Sequence, residues 1–196
     1  MRKKAINTTI KEQLISAAWE LFLEKGYDAT TVNEIIERSQ TSRGSFYHHF
    51  RGKEDLIFSL AYFFDNDYDE WLKSLPSNLS AVDKLITFDE FILSNLEHSP
   101  YISFFQILYG LQVMTQGTRY ILNPKRRYYQ ILNQLVKEGL DSGEIISSES
   151  YTEISEKIAS LERGLTYDWC LQEHRYSLLH YAHGIVCTYL ESLRKH

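Results

Sequence analysis

Two helix starts fall within one short stretch, Thr31–Lys53, TVNEIIERSQTSRGSFYHHFRGK, and they constrain the chain more than any other feature. Thr31 and Glu34 form a capping box, which predicts a helix from Val32 to about Ser39 burying Val32, Ile35 and Ile36. Its N-terminal amides and the Thr31 hydroxyl suit a backbone phosphate. Gln40-Thr41 is the turn, and Ser42 caps a second helix of scarcely two turns that ends near His49. A helix that short is not stable alone, so Phe46 and Phe50, four residues apart, must anchor it into a small core. Arg43, Gly44, Ser45, Tyr47, His48 and His49 are left for its other faces. Between Gln40 and Lys53 there are three basic residues, two histidines and no acid. Two short helices about a tight turn, with a locally positive exposed face, are how a helix-turn-helix presents itself to DNA.

Upstream, Ile10, Leu14, Ala17, Ala18, Leu21 and Phe22 recur at three- and four-residue steps, one stripe of an amphipathic helix. Thr9 and Glu12 form its capping box, and Gly26 suits a left-handed position just past its end. The basic leader Arg2, Lys3, Lys4 can reach a phosphate or the minor groove, or fray into solvent as termini do. A net charge of −5 opposes nucleic-acid binding only as a sum. Residues 1–55 hold nine Lys/Arg against eight Asp/Glu, so this part is +1 and the remainder −6. The positive field is therefore local to the turn and the helix after it.

The pattern Ala17-Ala18, Leu21-Phe22, Gly26, Thr30-Thr31-Val32, Ile35, then Ser42-Arg43-Gly44-Ser45-Phe46-Tyr47-His48-His49-Phe50 and Lys53-Glu54-Asp55-Leu56 resembles the DNA-binding domain of the tetracycline-repressor (TetR) family. The resemblance covers roughly the first quarter of the chain. Gln40-Thr41 stands where the family usually has Gly-Val, placing a non-glycine residue at a left-handed position at a cost of about 1 kcal/mol. What the resemblance implies is a homeodomain-like, three-helix DNA-binding domain over residues 1–52 and a helical effector-binding and dimerisation domain over 53–196. It implies that Ser42, Arg43, Gly44, Ser45, Tyr47, His48 and His49 lie in or against the major groove of a double-stranded operator, Arg43 on guanine, with Thr31, Tyr47 and Lys53 on phosphates. It also implies a small-molecule effector in the middle of the chain and a homodimer through the last two helices.

The rest reads as all-α, about nine helices in total. After Gly52, Glu54-Asp55 suits a first turn and an apolar stripe runs through Leu56, Ile57, Leu60, Ala61, Phe63 and Phe64 towards Trp71. Asp65-Asn66-Asp67-Tyr68-Asp69-Glu70 lacks the glycine and glutamate of a calcium loop, which leaves a solvated acidic helix face. Further helices are expected at about 80–97, 101–115, 124–142, 150–173 and 177–194. Phe88, Phe91, Phe104, Phe105, Tyr109, Tyr128 and Tyr129, with Asn95, Gln106 and Gln112 among them, either pack a core or line a pocket for a flat, greasy ligand. The expected ligand contacts are Phe88, Phe91, Asn95, Phe105, Tyr109, Gln112, Tyr128 and Trp169, the last in a Gly164–Trp169 run similar to relatives that control drug-efflux genes. Asp89, Glu90 and Asp168 are acids of the same region that can favour a cation.

The last helix is apolar over more than half its girth, which calls for a second buried face. His180, His183 and Cys187 share one side of it, so a metal- or thiol-responsive regulator is the alternative reading. Neither a phosphate-cradling loop, a dinucleotide fingerprint nor a nucleophile with an oriented base occurs, so no enzyme and no cofactor is expected. Cys170 and Cys187 are too few for a disulfide framework. With no run approaching the eighteen apolar residues of a membrane span and no apolar segment behind the basic N-terminus, the expected location is the cytoplasm.

Overall fold

A reciprocal capping box opens α1 (Ile10–Lys25): the Thr9 hydroxyl accepts from the Glu12 amide at 3.3 Å and the Glu12 carboxylate accepts from the Thr9 amide at 2.7 Å. This computed structural model describes residues 9–65, 67–114, 116 and 119–195, so the leader Arg2, Lys3, Lys4 lies outside the described residues. The chain forms two compact units, Met1–Leu60 and Ala61–His196.

In the first unit α1 packs on α2 (Val32–Arg38), α3 (Arg43–His49) and α4 (Lys53–Phe58). Leu14, Ala17, Ala18, Leu21 and Phe22 are buried as the periodicity predicts, whereas Ile10 is exposed. Gly26 ends α1 at a positive φ of 86°, but its ψ of 163° lies outside the left-handed helical well. Of the three α2 residues expected in the core only Ile35 is buried; Val32 and Ile36 are half-buried, Ile36 lying about 100° round the helix from Ile35. Phe46 and Phe50 are the buried anchors of α3.

The turn between α2 and α3 takes the strained form expected from Gln40-Thr41. Gln40 sits at φ +54°, its amide donates to the Glu37 carbonyl at 3.1 Å, and the Thr41 amide donates to the Ile36 carbonyl at 3.1 Å. These two bonds make a Schellman motif with a side chain at the position glycine favours. Gln40→Gly is therefore expected to stabilise the first unit by about 0.5–1 kcal/mol. A higher urea midpoint with unchanged slope is the readout; an unchanged or lower midpoint contradicts the strain.

The expected single helix from Gly52 to Trp71 is instead α4, α5 (Leu60–Asp65) and α6 (Tyr68–Ser74). At the first break the Ser59 hydroxyl accepts from the Trp19 indole N–H at 3.0 Å and donates to the Leu56 carbonyl at 2.6 Å. Such back-bonding competes with the helical ladder. Asp65 corrects the reading of a solvated acidic face. It is buried, receives Arg126 at 2.7 Å and 3.2 Å, and accepts the Arg127 amide at 3.2 Å, while Asp69 pairs with the Arg127 guanidinium.

The second unit is built on α7 (Ala81–Glu97), α9 (Arg127–Ser142), α10 (Tyr151–Leu171) and α11 (Leu178–Ser192), with α7 and α10 each packed on both α9 and α11. Val82, Leu85, Ile131, Leu135, Ile158 and Val186 form part of their shared core. Gly139 permits the close approach of α9, since a Cβ there would lie 2.6 Å from Ile145 Cδ1. The helix expected over 101–115 starts as a 3-10 turn, Ile102–Phe104, before α8 (Phe105–Met114). The Phe104 amide reaches Tyr101, three residues back, and closes that tighter turn. Among the described residues there is no strand, and no helix is long and apolar enough to cross a membrane.

Candidate functional site

Ser42 opens α3 by accepting the Ser45 amide at 3.0 Å, and Phe46, fully buried, clamps the helix from below. Around the rest of the helix Ser42, Arg43, Gly44, Tyr47, His48 and His49 are all exposed, with Ser45 half-buried. Arg43 lies 5.6 Å from the centre of the Tyr47 ring, a cation–π contact that keeps the guanidinium on the exposed face. Three of the acids on the neighbouring helices, Glu20, Glu24 and Glu34, pair with basic residues of this unit. Arg38 holds Glu24 through two bonds of 2.8 and 2.9 Å, and Lys25 holds Glu34. The Lys25 ammonium first, then the Thr31 hydroxyl and amide, pull the Glu34 carboxyl down to about 2.

Two residues expected on phosphates are engaged internally. The Thr31 hydroxyl donates to Glu34 at 2.7 Å within the capping box of α2. Lys53 points its ammonium at the carbonyls of Tyr27, Thr30 and Asp28, at 2.9, 3.1 and 3.4 Å, and sits 4.3 Å from the centre of the Tyr27 ring. An ammonium has three protons. Here all three serve to hold the loop between α1 and α2, so Lys53 straps that loop to the start of α4.

The second unit holds a partly open cavity of about 90 Å³. Of the residues expected to contact a ligand, Phe105, Tyr109 and Tyr128 line it, together with Phe64, Leu108 and Ile121. The other expected contacts are elsewhere. Phe88, 1% exposed, stacks on Trp71 at 4.6 Å; Phe91 stacks on Trp71 at 5.9 Å; Asn95 is half-buried away from the lining. Trp169, also 1% exposed, donates its indole N–H to the Tyr176 carbonyl at 2.8 Å. These aromatics give more area by packing on one another than by facing a void. Gln112 lines an adjoining groove instead.

The charged groups facing the cavity, Arg126, Glu162 and Arg163, are ones that periodicity did not single out. Glu162 is buried and accepts the Tyr128 hydroxyl at 2.6 Å. Burial first, then the neighbouring Asp89, push its carboxyl up to about 8, against the opposing pull of Tyr128 and Arg163. Asp89 is also buried and raised, by desolvation and then by Glu90, although one oxygen meets His183 Nδ1 at 2.7 Å. Of the other two acids expected in this region, Glu90 is exposed and Asp168 accepts Gln172 and the Tyr176 hydroxyl. Arg163 donates to the Tyr129 hydroxyl at 2.7 Å and Arg126 is held by Asp65. The missed signal for Glu162 was a charge in the buried register of α10, in step with Ile154, Ile158 and Trp169.

His180, His183 and Cys187 do not converge. His180 is exposed, His183 turns to Asp89, and Cys187 Sγ lies 3.3 Å from His183 Nε2. Burial and the carboxylates of Asp89 and Glu191 raise the Cys187 thiol, which disfavours the reactive thiolate. Among the described residues no three His, Cys, Asp or Glu side chains are placed to hold a metal. The metal- or thiol-responsive alternative is without support.

Residues 14–60 match the model of the family described as bacterial regulatory proteins, tetR family. The chain is 27% identical over 140 residues to the HTH-type transcriptional regulator QacR of Staphylococcus aureus, spanning 69% of this chain and 73% of that protein. It is 23% identical over 186 residues to the fatty acid metabolism regulator protein of Bacillus subtilis, 89% of this chain and 90% of that one. Among solved structures it resembles Thermus thermophilus FadR, a TetR-family repressor in complex with lauroyl-CoA, with a TM-score of 0.76 at 16% identity, covering 92% of this chain and 93% of the other. It also resembles Bacillus subtilis FadR in complex with stearoyl-CoA, with a TM-score of 0.69 at 22% identity over 94% and 100% of the two chains.

Proposed function

We propose that the chain, whose residues 14–60 match the tetR family of bacterial regulatory proteins, is a DNA-binding transcriptional regulator of that family, a homodimeric repressor released from a palindromic operator by a small apolar or aromatic effector. The observation that carries this reading is the acid-free, exposed face of α3 held up by a buried Phe46. Residues 1–52 serve as the recognition domain and 53–196 as the effector and dimerisation domain. Arg43 reads guanine, Gly44 admits close approach, and Ser42, Ser45, His48 and His49 meet the groove, with Tyr47 at a phosphate while Thr31 caps α2. Lys53 acts through the loop it straps.

One helix of this length reads few bases, so two copies must act about 34–36 Å apart or a multiple of that. Exposed Tyr167 and Leu171 on α10 and Tyr181 and Ile185 on α11 supply apolar surface for pairing through the last two helices. For the effector site the support is the aromatic cavity, and two structural neighbours of the same fold were solved with acyl-CoA ligands. An effector must bind the DNA-free state more tightly; a hundredfold loss of operator affinity takes about 2.7 kcal/mol of coupling.

Leu108→Trp tests the site, because Leu108 lines the cavity and an indole would fill it. The variant is expected to bind operator like the parent yet to resist release by a panel of aromatic and aliphatic compounds, scored by fluorescence anisotropy. Release matching the parent's would place the effector elsewhere.

A further inference from the structure

We propose that the groove beside the cavity, floored by Gln112 and flanked by Arg119 and Arg163, takes the anionic head of an amphipathic effector whose apolar body fills the cavity. This inference rests on reading the cavity as the effector site.

Gln112 supplies the first argument. It is 2% exposed, and its Oε1 accepts the Ile121 amide at 3.1 Å. That bond fixes which end of the amide is oxygen. The NH2 end is therefore a buried donor, and it has no hydrogen-bond partner. A buried donor left unmatched is unfavourable, and an acceptor atom on a ligand would relieve it.

Charge supplies the second. Among the described residues the groove is lined by two guanidiniums and no carboxylate, in a chain whose net charge is −5. Arg163 donates to two hydroxyls, Tyr129 at 2.7 Å and Ser160 at 2.9 Å, and both are neutral. Its positive charge is therefore not balanced by a hydrogen-bonded carboxylate. A cationic head would meet two like charges here, and a neutral one would gain nothing from the Arg163 charge.

Continuity supplies the third. Tyr109, Ile121 and Arg163 line both the groove and the cavity, so one elongated molecule can occupy both. Val113 and Leu122 add exposed apolar surface along the way. Glu162, the acid facing the cavity, is held towards its neutral form by burial and does not repel an anion. A planar carboxylate or a phosphate fits this donor set, since guanidinium groups bind either through paired N–H donors.

Calorimetry on the full chain tests the proposal with four eight-carbon probes: octanoate, octyl phosphate, octanol and octyltrimethylammonium. The anions are expected to bind about tenfold or more tighter than octanol. Whichever anion binds more tightly identifies the head as carboxylate or phosphate. Arg119→Gln and Gln112→Glu, the latter keeping an acceptor for the Ile121 amide, are each expected to weaken the anions about tenfold while leaving octanol unchanged. Equal binding of octanol and the anions, preference for the cation, or equal loss of octanol and octanoate in both variants would overturn the proposal and leave the cavity as an effector site. Anion preference without any effect on operator binding would uphold the groove and refute the regulatory reading. Binding of none of the four refutes both.

Discussion

Replacing Arg43 with alanine is expected to lower operator affinity by at least about thirtyfold while the protein stays folded and dimeric. A bidentate arginine–guanine contact discriminates by about 1–3 kcal/mol, and a dimer uses two copies, so the combined loss is about 2–6 kcal/mol. Arg43 is exposed and its observed contact is with the Tyr47 ring, so truncation leaves the core of the first unit untouched. Tyr47, 50% exposed, is expected to behave likewise when changed to alanine, with a smaller loss of discrimination between sequences because phosphates carry no base information. Gly44→Ala separates protein from DNA effects. A Cβ there would lie 3.7 Å from Ser42 Oγ, ordinary contact, so the substitution should help the helix by about 0.5–1 kcal/mol yet weaken the operator complex. Anisotropy at fixed salt, with a thermal melt of each variant, checks all three. Unchanged affinity in the Arg43 and Tyr47 variants would remove α3 as the recognition element.

The second large effect concerns pH. Glu162 holds its proton in the folded state up to about 8, whereas the unfolded side chain titrates at about 4.3. Between those values the folded protein binds more protons than the unfolded chain, so stability falls as pH rises through the window and levels off above it. Asp89, raised in the same direction, adds to the slope. Glu162→Gln removes the proton and keeps an amide oxygen that can accept from Tyr128. The variant is expected to be more stable than the parent at pH 8, by on the order of 2 kcal/mol, with the difference shrinking towards pH 5. Melting temperatures across pH 5–9 read this out; parallel curves for the two proteins would mean that Glu162 is not the linked group.

Local chemistry made the first unit legible. Thr9 with Glu12, Thr31 with Glu34, and Ser42 each fix a helix start within a few residues, and Gln40 does take the left-handed conformation that its position demanded. Phe46 and Phe50 could be assigned inward because a two-turn helix offers few ways to bury two aromatics four residues apart. The second unit was legible as helices but not as a site. Whether Phe88 or Phe105 faces a void depends on which helices meet, and Phe88 is turned into Trp71 while Phe105 lines the cavity. Periodicity reports which face of a helix is buried, not against what. Arg126, which follows Pro124 in sequence, gains its role only through Asp65, distant along the chain. Lys53 is a case of the same kind: a lysine at the start of a helix reads as available, and the carbonyls of Tyr27 and Thr30 lie beside it in the fold.

Selection of bound duplexes from a random DNA pool measures the central claim most directly. The expected product is an inverted repeat, bound by one dimer, with half-site centres about 34–36 Å apart or a multiple of that, and containing a guanine whose replacement is tolerated by Arg43→Ala but not by the parent. A pool that remains without consensus after repeated rounds, or that converges on a single half-site bound by one chain, would contradict it.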